Sequence, residues 1–362
     1  MQDRLTPSTR PAQELKKPRA QARFSAFEKI YTPLKIFAVV QVLAAQGVRP
    51  GDMLAHTDLT ADALENPGTR TSLAQFLAVC RNAQRLTHHT AWALHVGRRL
   101  RPTSYGLYGY ALMCSSSLRV AFDQSLRHRL LATPVLPIHW TEESDTATWH
   151  LPAFDTLQLP DLDHDLYVCL LEMQAAIHVT LIQDAMGDWC RPLQVLSTAP
   201  RPPHADEMST LFGCPVLFEQ ARNELQYERK WLDRPPQLAH PITASEMSAT
   251  CARMIEDIQH GAGLSRKVCE ALTRTPGVFP SIEAIAKVLN MNARTLRRNL
   301  EEEGTAYSTL LADVRRSLAL DYLSQSPLSV SDIAAALGFS EAASFRHAFK
   351  RWTGKTPAQF RR

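Results

Sequence analysis

Three arginines crowd one short stretch of the chain, "NARTLRRNL" at 292–300: Arg294, Arg297 and Arg298. A guanidinium can donate two parallel hydrogen bonds to O6 and N7 of guanine, worth about 1–3 kcal/mol of discrimination, and one that misses a base can still meet a phosphate. Leu296 and Leu300 lie in the same stretch, four residues apart. On a helix that spacing puts both leucines on one face, so packing turns them inward and turns the three arginines, with Thr295 beside them, outward. Glu301 and Glu302 follow directly and compete for the same guanidinium groups. A second stretch, "EAASFRHAFKRW" from Glu341, carries Phe345 and Phe349 at the same spacing. Its outward positions are Ala342, Ala343, Ser344, Arg346 and His347. The alanines offer only a methyl contact to thymine, so this helix is expected to read fewer bases, with Arg346 as its main donor. Lys350, Arg351 and Lys355 beyond them are candidate phosphate contacts.

The other reactive side chains form no comparable constellation. "DLDHD" at 161–165 alternates acids with a histidine, but alternation scatters side chains around a helix, and the acids are expected to cap it. "HH" at 88–89 opens a helix on the surface, while His139, His150 and His178 sit in apolar contexts and are expected in the core or a pocket wall. The serines of "CSSSLR" at 114–119 read as helix caps. Seven cysteines, no two at CxxC spacing, argue for reduced thiols in a cytoplasmic protein rather than disulfides or zinc. No GxSxG, Walker loop, strand-bound GxGxxG or HExxH occurs, so no catalytic residue, cofactor or metal is assigned.

The two DNA-facing stretches are the second halves of a repeated unit. In "VSDIAAALGFS", Ile333 and Leu337 point inward, Ala334 is small where another helix must cross, Gly338 suits a turn at positive φ, Phe339 plugs that turn and Ser340 is a candidate N-cap. Ile285, Ala286, Leu289, Asn290, Met291 and Asn292 repeat the same devices in order, with Asn the next best residue at positive φ. Each copy is thus a helix-turn-helix. Between them Tyr307, Leu310, Leu311, Val314, Leu318 and Tyr322 form one apolar stripe on a helix of about 17 residues, roughly 26 Å long. Such a strut can hold two recognition helices near one turn of B-DNA apart, about 34 Å.

The rest of the chain has a different texture. Residues 1–23 are basic and proline-containing, lack a secretory apolar core and read as a disordered tail. Residues 24–232 mix helical periodicity, continuous from about Phe24 to Leu64 and again at 72–86, 90–100 and from Ser117, with strand alternation around 135–154 and 193–232 and a long apolar helix ended by Gly187. The fold class is therefore an α+β N-terminal domain followed by an all-α domain with two helix-turn-helix units joined by a linker helix. A linker and a helix from about Ser245 occupy 233–263. Residues 264–362 carry 15 Lys and Arg against nine Asp and Glu, whereas the remainder carries 25 against 27. A basic terminal domain on a near-neutral body implies a polyanionic partner at one end. No run approaches 18 apolar residues, so no membrane span is expected.

Residues 264–362 resemble the DNA-binding domain of the AraC/XylS family of bacterial transcription regulators, through Arg315, Ala319 and Leu323 on the strut, "IAAALGF", "FRHAFKRWTG" and "TPAQFR". Residues 24–232 are similar to the effector-binding and dimerisation half of the branch containing ornithine-utilisation regulators, through "GLYGYALMCSSSLRVAF". The resemblance implies double-stranded DNA, a small-molecule effector and RNA polymerase as partners, a homodimer, activation rather than repression, and base contacts at Arg294, Arg297 and Arg298. Two other readings stay open. One is an effector-independent architectural binder, which the large N-terminal domain disfavours. The other is a DNA-repair enzyme with a helix-turn-helix tail, which lacks its Pro-Cys-His context here.

Overall fold

The computed structural model describes residues 26–361 apart from 27, 158, 160–161, 261–262, 274–278, 304, 326–327 and 354–355. The expected tail at 1–23 and the candidate phosphate contact Lys355 lie outside the described residues. Helix α1 spans Leu34–Ala44. The unbroken helical pattern expected to Leu64 is interrupted, because Gly47, His56 and Asp58 adopt φ of 89°, 63° and 56°. Left-handed residues stop a right-handed helix. Short helices at Pro50–Met53 and Ala61–Glu65 fill the gap. Helices α2 (Leu73–Leu86), α3 (Trp92–Arg99), α4 (Leu107–Met113) and α5 (Leu118–Arg127) follow. Ser117 caps α5 by accepting from the Val120 amide, as its position suggested.

Strands β1 (His139–Glu142) and β2 (Thr146–Leu151) form a hairpin. Helix α6 (His164–Met186) starts at Asp163, whose carboxylate accepts from the Leu166 amide at 2.8 Å, and ends at Gly187 with φ 103°. Asp163 of "DLDHD" therefore supplies a cap, while Asp161 lies outside the described residues. Strand β3 (Gln194–Leu196), helix α7 (Ala205–Phe212), and strands β4 (Val216–Leu217) and β5 (Asn223–Glu228) complete a sheet of order β1-β2-β5-β3-β4. All neighbours are antiparallel except β3 and β4. Ala147, Trp149, Leu225 and Tyr227 bury the inner face. His139, expected inside, is exposed. It sits on the edge strand β1, its ring stacked 4.7 Å from its cross-strand partner His150.

Although no such run was expected, α6 is long and apolar enough to cross a membrane by length and composition. It is instead mostly buried as the central helix of the N-terminal core. Gly97 on α3 lets the two helices cross closely, since a Cβ there would lie 2.5 Å from the Ala176 Cβ. Helix α8 runs Pro241–His260, starting before the expected Ser245 because Pro241 suits a first helical turn. It is more than a linker: Cys251 is fully buried in the N-terminal core and Met247 packs on it.

The C-terminal half is helical throughout its described residues: α9 (Leu264–Thr273), α10 (Ile282–Val288), α11 (Ala293–Glu302), α12 (Tyr307–Gln325), α13 (Val330–Ala336), α14 (Ala342–Thr353) and α15 (Pro357–Phe360). The expected single stripe on α12 is in fact two faces. Leu310 and Val314 enter a core with Ile285, Leu296 and Leu300. Ala319, Leu320 and Leu323 enter a second core with Ile333, Phe345 and Phe349. From Leu310 to Ala319 a helix turns about two and a half times, so the two cores lie on opposite sides of the strut.

Glu28 of the N-terminal segment meets this half. Glu28 is buried, with Arg266, Glu270, Glu303 and the Gly263 backbone near it. Burial first, and the Glu303 charge second, push its carboxyl up to about 7. A raised carboxyl favours the fold while protonated, so this contribution is lost as pH climbs from the ordinary 4.5 through about 7. Glu28→Gln is expected to raise the melting temperature above that pH and to flatten its dependence across the window. Parallel pH profiles for the two proteins would contradict this reading.

Candidate nucleic-acid interface

The two helix-turn-helix units are built by the same backbone bonds. Asn290 and Gly338 end the first helices at φ 55° and 69°. The Met291 amide donates to the Ala286 carbonyl at 2.9 Å, and the Phe339 amide to the Ala334 carbonyl at 2.9 Å. Asn290 and Gly338 donate to Lys287 and Ala335 at 3.2 and 3.0 Å. This is the Schellman pattern, which needs a left-handed residue at the turn and explains the Asn–Gly correspondence. Ser281 and Ser329 cap the first helices by accepting from Ala284 and Asp332. Asn292 caps α11 through the Thr295 amide at 2.7 Å. The second recognition helix differs at its start: α14 begins at Ala342, so Ser340 stands one residue ahead of the cap position.

Leu296, Leu300, Phe345 and Phe349 are fully buried, and the faces opposite them are open. Arg294, Arg297 and Arg298 are all exposed on α11. Arg297 reaches Glu283 on the preceding helix at 3.0 Å, and Arg298 pairs with Glu302 at 3.5 Å. Exposed pairs of this kind contribute about 0–1 kcal/mol each, so a phosphate or guanine can displace them at small cost. On α14, Ala343, Ser344, Arg346, His347, Lys350 and Arg351 are exposed. Ala342 is half-buried and packs on the second core, so packing takes part of the surface expected to face bases.

Arg315 has a role that its place in the sequence did not disclose. Its guanidinium carbon lies 5.0 Å from the Phe279 ring centroid and 4.9 Å from that of Phe339, and Nη2 donates to the Gly338 carbonyl at 3.2 Å. Phe279 packs on the first core and Phe339 on the second. One side chain on the strut thus bridges the two units and holds the turn that presents α14. Phe279 lies too far from Arg315 in the chain for the sequence to suggest the contact.

A model of the helix-turn-helix domain matches residues 285–362, and a model of the N-terminal arabinose-binding domain of AraC transcription regulators matches residues 47–236. The chain is 30% identical over 324 residues to the ornithine utilization regulator of Pseudomonas aeruginosa, covering 90% of this chain and 94% of that one. This chain belongs to the AraC family of transcription regulators. It is also 28% identical over 280 residues to the regulator VqsM of Pseudomonas aeruginosa, covering 74% of this chain and 82% of that protein. The crystal structure of the regulator CdpR from Pseudomonas aeruginosa covers 91% of this chain and 98% of its own at 22% identity, with a TM-score of 0.48. As an AraC-family member it is a DNA-binding regulator and not an enzyme, which removes the repair-enzyme reading.

The Arg315 bridge leads to an expected outcome in this regulator. Arg315→Ala removes two ring contacts and a hydrogen bond, together roughly 1–3 kcal/mol. Arg315→Lys keeps the charge but not the flat guanidinium, and is expected to recover only part of the loss. Melting curves superimposable on wild type for both variants would show that the bridge does not hold the units.

Proposed function

We propose that this AraC-family regulator activates transcription in response to a small molecule bound by its N-terminal domain, acting as a homodimer that contacts RNA polymerase at the promoter. The observation that supports it is the path of α8. Its first half packs on the N-terminal core, where the His240 amide donates to the Cys114 carbonyl at 3.0 Å and Ser248 Oγ to Gln124 at 3.1 Å. Its far end leads into α9, the first helix of the DNA-binding half. Helices α4 and α5, on which α8 rests, also wall an apolar cavity in the N-terminal domain. A change in that cavity therefore has a packed route to the DNA-binding units.

In the DNA complex, α11 and α14 enter successive major-groove segments. Arg294, Arg297, Arg298 and Arg346 donate to bases, Ala343 offers a methyl contact, and Lys350 and Arg351 meet phosphates. Ser344 and His347 lie at the same face. The functional test is selection of a binding site from random duplexes, followed by transcription from that site with purified RNA polymerase. Wild-type protein is expected to raise transcription. Arg294→Ala is expected to relax one or two adjacent positions by about 1–3 kcal/mol. Lys350→Ala is expected to weaken all sequences alike and to lower the salt slope by about 1. A triple alanine variant at 294, 297 and 298 with undiminished sequence preference would overturn the base-contact assignment.

A further inference from the structure

The space free of protein atoms in the cavity walled by α4, α5, α6 and β2, with open solvent at its mouth included, is about 810 Å³, of which about 90 Å³ can hold the centre of a water-sized sphere. A mostly apolar wall with a few polar groups is the usual make-up of a small-molecule site. Leu112, Phe122, Leu136, Ile177 and Leu181 make much of its wall. Into this apolar surface the first turn of α1 sends Lys35, whose residue is only 4% exposed. An ammonium in such surroundings is costly unless it is well paired. Its one hydrogen bond among the described residues is to the Thr133 carbonyl at 2.8 Å. A carbonyl is a dipole and leaves the charge unneutralised, and an ammonium has three donors to place.

Three further features surround that ammonium. Burial pushes Lys35 down to about 8, near the point where it sheds its proton. Thr133, which holds it, is a β-branched residue at φ 49°, a strained conformation of the kind that persists where surroundings enforce it. Trp149, also in the wall and 1% exposed, has an indole Nε1 with no hydrogen-bond partner among the described residues. His178 beside it cannot supply the countercharge. Its Nδ1 lies 2.9 Å from the Gln174 carbonyl, which can only accept, and burial lowers the ring to about 4, so the imidazole is neutral. No carboxylate side chain lines the cavity among the described residues, and the other cation in the wall, Arg129, is exposed.

We propose that this cavity is the effector site and that it takes an apolar monocarboxylate, whose carboxylate meets the Lys35 ammonium and the Trp149 indole N–H while its hydrocarbon body lies against the leucine, isoleucine and phenylalanine wall. The proposal rests on the reading of the N-terminal domain as an effector domain and names the chemistry of its ligand. A sugar would leave its hydroxyls against apolar wall, and a zwitterionic amino acid would bring a second charge with no carboxylate to receive it.

Calorimetric titration of the full-length protein tests it, with octanoate and 4-phenylbutyrate as probes against octanol and octylamine of matching length. The carboxylates are expected to bind about tenfold or more tighter than the alcohol, as a charge-assisted contact would give. Octylamine is expected not to bind. Lys35→Met, which exchanges the ammonium for an apolar chain of similar reach, is expected to lose that tenfold preference while still taking octanol. Trp149→Phe, which keeps a ring but loses the donor, is expected to weaken carboxylates by a smaller factor, and it serves if Lys35→Met does not fold. Carboxylates that bind no better than octanol, or that bind Lys35→Met as well as wild type, would sink the proposal and leave Lys35 as a tie between α1 and the Thr133 turn. Transcription from the selected operator separates this from the broader reading. Lys35-dependent carboxylate binding with unchanged transcription would uphold the site and overturn its signalling role. A different compound that alters transcription without Lys35 would do the reverse.

Discussion

One helix serves two hydrophobic cores, and the C-terminal half depends on it. The strut α12 gives Leu310 and Val314 to the first helix-turn-helix unit and Ala319, Leu320 and Leu323 to the second, from opposite sides. The two short helices of each unit bury their apolar face only with help from outside the pair, from the strut and from α9 in the first core and α15 in the second. Sharing the strut solves this, and it also fixes the distance between units. Nineteen residues give about 28 Å of rigid helix. Arg315 adds a direct tie, lying between Phe279 and Phe339 and bonded to the Gly338 carbonyl. The spacing of the two recognition helices is therefore a property of packing, set before any DNA is present.

The two recognition helices share a backbone and differ in chemistry. At matching positions, 49 residues apart, Arg294 faces Ala343 and Arg298 faces His347, while Glu301 and Glu302 face Lys350 and Arg351. The first helix has its donors near the start and acids at its end; the second has small residues near the start and cations at its end. In the free protein two arginines of the first helix sit in exposed ion pairs, Arg298 with Glu302 of the same helix and Arg297 with Glu283 of the helix before it. Such a division suits a chain in which one unit selects bases and the other grips the backbone.

Much of this was legible in the sequence, for a physical reason. A turn at positive φ, a small residue at a helix crossing and a pair of apolar residues four apart are local demands, and local demands leave marks at fixed offsets. Ile285 and Ile333, Asn290 and Gly338, and Leu296 and Phe345 could be matched before any coordinates. The strut's change of face could not, because the apolar pattern of a helix does not say which partner each residue meets. His139 looked internal because alternation does not reveal that its strand lies at the edge of the sheet. Nothing in "PLKIFAVV" marks Lys35 as buried. Only the approach of α6, β2 and the Thr133 turn encloses it. The α+β class and the all-α tail followed from periodicity, whereas helix α7 and the buried seat of α8 came from tertiary contacts.

The direct test of a fixed two-unit reader is the spacing of the operator it selects. Protection mapping on that operator should show two clusters on one face of the duplex, about one helical turn apart. Inserting roughly half a turn between them, about 5 base pairs, puts the second cluster on the far side of the duplex, where a rigid strut cannot follow. Affinity is then expected to fall to that of a single unit. Unchanged affinity across that insertion would mean that the two units bind independently, and the shared strut would have no bearing on recognition.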